Sequence, residues 1–130
     1  LATRYSKKYI LSSIYLLRGV SIIIFIFFPP SVINSIIFGI TFGFLWLSTV
    51  PPTNGIVAHI FGTKYVGMLY GIVFVSHQIG SFLGAYLSGV FYELHGNFDY
   101  AWYASIALSI FAGLIHLPIR EIAIERIQTA

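Results

Sequence analysis

Three polar side chains stand inside strongly apolar sequence: Arg18 in "SIYLLRGVSIII", and His77 with Gln78 in "VFVSHQIGSFLG". A guanidinium presents five donors and a permanent charge, so at such a place it calls for a carboxylate, carbonyl oxygens, water or an anionic ligand. An imidazole offers both a donor and an acceptor, and histidine is the side chain that ordinarily changes charge near neutral pH. The acids Glu93, Asp99, Glu121 and Glu125 lie at or beyond the ends of the apolar runs, so none is placed beside Arg18 by sequence. That leaves backbone carbonyls, an anionic ligand or another part of the protein as its partner. For His77 two readings stand: a pathway-lining group, or a neutral imidazole hydrogen-bonded between helices.

Catalytic chemistry finds no pattern to rest on. No HExxH, nucleophile elbow, phosphate-cradling glycine loop or close carboxylate pair occurs, and His59, His77, His95 and His116 lack metal-ligand spacing. The expectation is a chain that is not an enzyme, with no metal and no cofactor. The net charge of +3 is split among positions flanking the apolar runs and makes no basic patch, which argues against nucleic acid as a partner. Cysteine is absent, so neither a disulfide nor a thiolate site is available.

These side chains must be positioned by membrane helices. Of the 130 residues, 58% are hydrophobic and only 8% charged, and the mean hydropathy is +0.89; soluble globular chains carry about 25% charged residues. The apolar runs have the ~20 residues that a bilayer crossing needs. Four segments follow, at about 9–28, 31–58, 64–93 and 100–117, with no soluble domain. The first stops at Pro29-Pro30, the second opens on Ser31 as N-cap and contains Pro51-Pro52, which reads as a kink, and Gly96-Asn97 turns the chain between the third and fourth. At ~1.5 Å per residue Arg18 lies ~15 Å beyond Lys8, near the middle of a ~30 Å hydrocarbon core. A signal peptide is a weaker reading of the first segment, whose apolar stretch is too long and lacks a cleavage pattern.

Arg4, Lys7 and Lys8 precede the first segment, Lys64 lies between the second and third, and Arg120 and Arg126 follow the fourth. Lys and Arg gather on the cytoplasmic side, so both termini and the middle loop are expected inside, in a multi-pass protein of the plasma or inner membrane. Tyr92, Tyr100 and Trp102 suit the opposite interface. On the third segment His77, Gly80, Ser81, Gly84, Ala85 and Ser88 share one side, and Phe82, Leu83, Tyr86 and Leu87 share the other. "GITFG" (Gly39, Gly43), "GMLYG" (Gly67, Gly71) and "GSFLG" (Gly80, Gly84) each have the small-xxx-small spacing that lets membrane helices approach closely.

The residues also carry a family resemblance. "ATRYSKKY" resembles the cytoplasmic loop motif Gly-x-x-x-Asp-Arg-x-Gly-Arg-Arg of the major facilitator superfamily, with Arg4, Lys7 and Lys8 at basic positions and Thr3 where the family usually has Asp. "FGTKYVGMLYGIVFVSHQIGSFLGAYLSGVFYELHGNFDYAWY" is similar to the pattern of the monocarboxylate-transporter-like branch through helices eleven and twelve. The resemblance implies an all-α membrane protein whose four helices are the ninth to twelfth of a twelve-helix fold, the other eight being part of the same transporter. It implies alternating access for a small organic anion such as a monocarboxylate, with proton coupling or exchange. It also makes His77, Gln78 and Asn54 candidate pathway residues and moves Arg18 towards a structural role. A chain of four helices beginning at Leu1 reads as the C-terminal third of such a transporter; the alternative is a self-contained four-helix subunit or assembly protein acting by association.

Orientation is directly testable. Single cysteines introduced at Lys64 and at Asp99 should react oppositely with an impermeant thiol reagent applied to intact cells, position 99 being labelled and position 64 protected. Labelling of position 64 from outside would reverse the assignment.

Overall fold

The structure, a computed structural model, describes residues 6–123; Arg4, Arg126 and the first residues of the loop motif lie outside them. Five helices occur in chain order: α1 (Lys7–Phe27), α2 (Val32–Leu47), α3 (Val50–Phe61), α4 (Val66–His95) and α5 (Asp99–Ile115). They make four membrane segments, because α2 and α3 together form one broken crossing. By length and composition α1, the pair Val32–Phe61, and α4 can each cross a bilayer, and α5 is a shorter apolar helix of 17 residues. The protein is an all-α membrane protein.

Local chemistry sets the ends. Pro29 and Pro30 follow α1, and Ser31, in extended conformation, accepts a hydrogen bond from the Asn34 amide (3.1 Å) at the start of α2. Gly96 ends α4 in the left-handed conformation (φ 69°) that glycine alone adopts without cost, with its amide on the Tyr92 carbonyl at 2.8 Å. Between α2 and α3 the expected kink is a break. Ser48 still donates to the carbonyl of Phe44 (3.0 Å), but the Thr49 amide turns to Trp46 (3.4 Å) instead of continuing to Leu45. Pro51 and Pro52 then occupy the first turn of α3, where a missing N–H leaves no intrahelical bond unmade. Their cost falls on the preceding turn, whose carbonyls lose donors.

α1 is the hub, packing against α5, α2 and α3. Against α5 it runs antiparallel along most of its length. The Ser12 hydroxyl donates to the Gly113 carbonyl (2.7 Å, buried), Tyr15 stacks on His116 (5.0 Å between centroids), and Phe25 meets Trp102 (5.6 Å) near the other end. Glycine is required at 113: a Cβ there would lie 2.8 Å from the Leu16 Cγ. Gly19 approaches Ser109, and Gly55 of α3 receives the aliphatic stem of Lys7. Leu11, Ile14 and Ile22 of α1 with Leu45, Ile56 and Val57 form the buried apolar core.

The close approaches therefore fall at Gly19, Gly55 and Gly113. At Gly39, Gly43, Gly67, Gly71, Gly80 and Gly84, the positions read as packing glycines, a Cβ would meet nothing within 4 Å. The spacing of small residues marks a face able to pack, but whether another helix stands there depends on tertiary arrangement. α4 buries none of its side chains among the described residues.

The two ends of the described chain are tied together by Glu121. Its Oε1 accepts from the Lys8 amide (2.6 Å) and the Ser6 hydroxyl (2.8 Å), supplying an acceptor to the otherwise unpaired first turn of α1. Partial desolvation pushes this carboxyl's pKa up. The hydrogen bonds from Lys8, Ser6 and Lys7, with the Lys7 charge, outweigh it and hold the pKa below the ordinary carboxylate value. A depressed folded-state pKa gives stability that is complete above the unfolded value and disappears as pH falls through the folded one. The thermal-stability advantage of the natural chain over Glu121→Ala in detergent should therefore be constant at neutral pH and shrink as pH drops below about 4.3. An advantage that persists unchanged through that acid range would show that the ionised cap contributes nothing.

Candidate functional site

The break between α2 and α3 is occupied from α1. Arg18, only 8% exposed, directs its Nη2 to the Leu45 carbonyl (3.0 Å), the Trp46 carbonyl (3.1 Å) and the Thr49 hydroxyl (3.4 Å). The Leu45 carbonyl is the one that the Thr49 amide abandons in turning to Trp46, so Arg18 supplies the donor that the broken ladder withholds. Thr49 also donates its hydroxyl to the Trp46 carbonyl at 2.8 Å. The guanidinium lies over two rings, Tyr15 at 5.1 Å and Trp46 at 4.9 Å, a geometry in which a weakly hydrated planar cation gains from the π-face. The acceptors that Arg18 uses are two carbonyls and a hydroxyl, none of them anionic. Its Nε is buried and has no hydrogen-bond partner.

Trp46 carries the arrangement across to α4. Its indole meets the His77 ring edge-on, centroids 5.6 Å apart, and Phe74 lies 6.1 Å from the same imidazole. Between these groups is a cavity of about 430 Å³ lined by side chains of α1, α2, the break, α3 and α4, including Tyr15, Trp46, Thr49, Tyr70, Phe74 and His77. That volume falls in the ~300–1,000 Å³ range of small-molecule sites. A smaller hollow of about 280 Å³ between α1 and α2 is lined mainly by Ile and Phe side chains, with Ser21, Asn34 and Thr41; Asn34 already donates to the Pro29 carbonyl at 2.7 Å.

Of the candidate pathway residues, His77 is on the wall of the larger cavity. Gln78 and Asn54 are exposed and do not line it. Lys7 lies against Gly55, and Lys8 stands 5.1 Å from the Tyr9 ring centroid. Sequence reasoning did not single out Tyr15, Trp46 or Thr49. The available signal was "WLSTVPP": a Thr two residues before a proline pair can bond back to a carbonyl of its own preceding turn, where the prolines disturb the helix.

Residues 1–128 match the family model of the Major Facilitator Superfamily. The chain belongs to the major facilitator superfamily. No individual curated protein and no solved structure matches it. Membership makes it an integral-membrane protein of a transporter superfamily, with the lipid bilayer as its solvent and a small molecule as the family's kind of cargo. In membrane transporters generally, a discontinuous helix whose unwound turn borders a cavity is a recurrent way to bring polar backbone to membrane depth.

Arg18 and the proline pair should be energetically coupled. Arg18→Met leaves the buried Leu45 carbonyl without its donor and should lower stability by about 1–3 kcal/mol, read by denaturant titration in detergent. Adding Pro51→Ala and Pro52→Ala lets the amide ladder run through and return a donor to Leu45, so the triple variant should recover part of that loss. Additive losses in this cycle would mean that Arg18 and the break act independently.

Proposed function

We propose that the chain is the C-terminal portion, helices nine to twelve, of a secondary active transporter that moves a small organic anion such as a monocarboxylate by alternating access. In this reading α1 is helix nine, α2 with α3 helix ten, α4 helix eleven and α5 helix twelve. The remaining eight helices of the transporter cover α4, and both termini face the cytoplasm at the plasma or inner membrane. The supporting observation is the cavity beside the broken helix. It is walled by His77 and flanked by Arg18, whose acceptors are all uncharged. A cationic group without an anionic partner among the described residues favours a negatively charged cargo. His77 is the wall residue able to exchange a proton with the cavity, which fits proton coupling or anion exchange.

The mechanism follows from what these side chains can do. Arg18 holds the turn between α2 and α3 open by bonding the carbonyls of Leu45 and Trp46. That keeps the Trp46 indole upright against His77. The hydroxyls of Thr49, Thr53 and Ser76 lie along the same wall with their protons given to the carbonyls of Trp46, Thr49 and Ile72, which leaves oxygen lone pairs towards the cavity. Closing and opening of the cavity then requires α4 to move against the α1–α2–α3 unit. Among the described residues α4 has no buried side chain, so that motion breaks few contacts within this chain.

The absence of any buried residue on α4 among the described residues also suits a second reading, a four-helix subunit that acts by association alone. Uptake of a radiolabelled monocarboxylate into proteoliposomes separates the two. The complete transporter encoded around this chain should take it up, and the 130-residue chain reconstituted alone should not. In the complete protein His77→Ala should lower kcat/KM about tenfold, the factor that ~1.4 kcal/mol of lost transition-state interaction gives, and alter its pH profile at normal expression. Full uptake by the short chain would sink the fragment reading, and an unchanged rate and pH profile would remove His77 from the pathway.

A further inference from the structure

We infer that the cavity at the helix break selects an aromatic carboxylate: its ligand carries a flat aromatic ring and a negative charge. The inference rests on the transporter reading of this cavity and narrows it from organic anions in general to those with a ring. Five rings from three membrane segments converge on the space: Tyr15, Trp46, Tyr70, Phe74 and His77. They are not stacked among themselves into a closed core. Trp46 and His77 meet edge-on at 63°, and Phe74 and His77 are tilted by 31°, which leaves faces or edges of Tyr70, Phe74 and His77 to a guest while Tyr15 and Trp46 give a face to Arg18. Aromatic pairs favour offset or edge-to-face contact, and a rigid ring loses little conformational freedom on entering such a slot.

Charge then divides the possible aromatic guests. A cage of rings alone would suit an organic cation. Here the faces of Tyr15 and Trp46 already carry the Arg18 guanidinium, at 5.1 and 4.9 Å from their centroids. Among the described residues the walls contain neither an aspartate nor a glutamate. A second cation would meet like charge with no acid among the described residues to offset it, whereas a carboxylate finds the positive potential of the Arg18 guanidinium held against Tyr15 and Trp46.

Four ligands of matched design test this on the purified complete transporter in nanodiscs: phenylacetate, cyclohexylacetate, propionate and phenethylamine, compared by competition against radiolabelled phenylacetate. Phenylacetate should bind at least about fivefold more tightly than cyclohexylacetate, the gain expected from one or two ring contacts. Propionate should be weaker still, and phenethylamine should not compete. Phe74→Leu and Trp46→Leu should each reduce the ring preference, and Trp46→Phe should keep it. The natural protein's ligand ranking decides the matter even if a leucine variant folds poorly. Equal competition by cyclohexylacetate, competition by phenethylamine, absence of phenylacetate binding, or a ring preference that survives both leucine variants would each overturn the inference. Uptake in proteoliposomes keeps the two readings apart. Transport of propionate without ring preference overturns only the aromatic inference, whereas ring-selective binding without uptake of any anion supports the cavity assignment and overturns the transport reading.

Discussion

The arrangement depends on the bond between one guanidinium and one interrupted helix. A charged side chain taken out of water costs several kcal/mol unless it is well hydrogen-bonded, and a carbonyl left unpaired at membrane depth is also costly. Arg18 and the turn before Pro51 each carry the group that the other lacks. The proline pair strips donors from the preceding turn, the Thr49 amide shifts its bond by one residue, and the buried Leu45 carbonyl so released receives Arg18 at 3.0 Å. Removing either side would leave the other in an unfavourable state. This is why a charge in α1 and a break between α2 and α3 are best regarded as a single structural unit.

The remaining packing is uneven around that unit. α1 and α5 come together through Gly19, Gly113 and the buried Ser12 bond, which gives a rigid pair. α4 is held by the connections at its ends, the contact of His95 with Tyr100 (4.1 Å) and the meeting of His77 with Trp46. A rigid pair beside a loosely held helix is a sensible division of labour for a wall that has to move, because local opening is easiest where few apolar contacts are broken.

Fold class was legible because its causes are local. Apolar run length, Pro29-Pro30 and Gly96 speak for membrane helices and their ends without help from distant residues. The Pro51-Pro52 pair announced a disturbance but not its form, since a kink and a break differ only in which carbonyl the Thr49 amide chooses. The partner of Arg18 was hidden for a different reason. Backbone oxygens carry no residue-type signature, and these lie 27 and 28 positions away. The packing glycines were hidden too. GxxxG spacing describes one helix surface, whereas the close approach at Gly113 is set by Leu16, which no spacing rule connects to it. Trp46 and Tyr15 looked like two more aromatics in a chain where 18% of residues are aromatic.

The antiparallel pairing of α1 with α5 also has a consequence for biosynthesis. Ser12 and the Gly113 carbonyl that it bonds are 101 residues apart, which at translation rates of ~5–20 residues per second is roughly 5–20 s of ribosome time. α1 therefore leaves the translocon long before its main neighbour exists. During that interval the Ser12 hydroxyl is without its carbonyl, while the Arg18 side chain can already be satisfied once the turn after α2 has emerged, 27 residues on. The early bond would hold the first two membrane segments together as an assembly intermediate, and the arrival of α5 would lock a pair that until then depends on membrane chaperones or lipid to shield its open side.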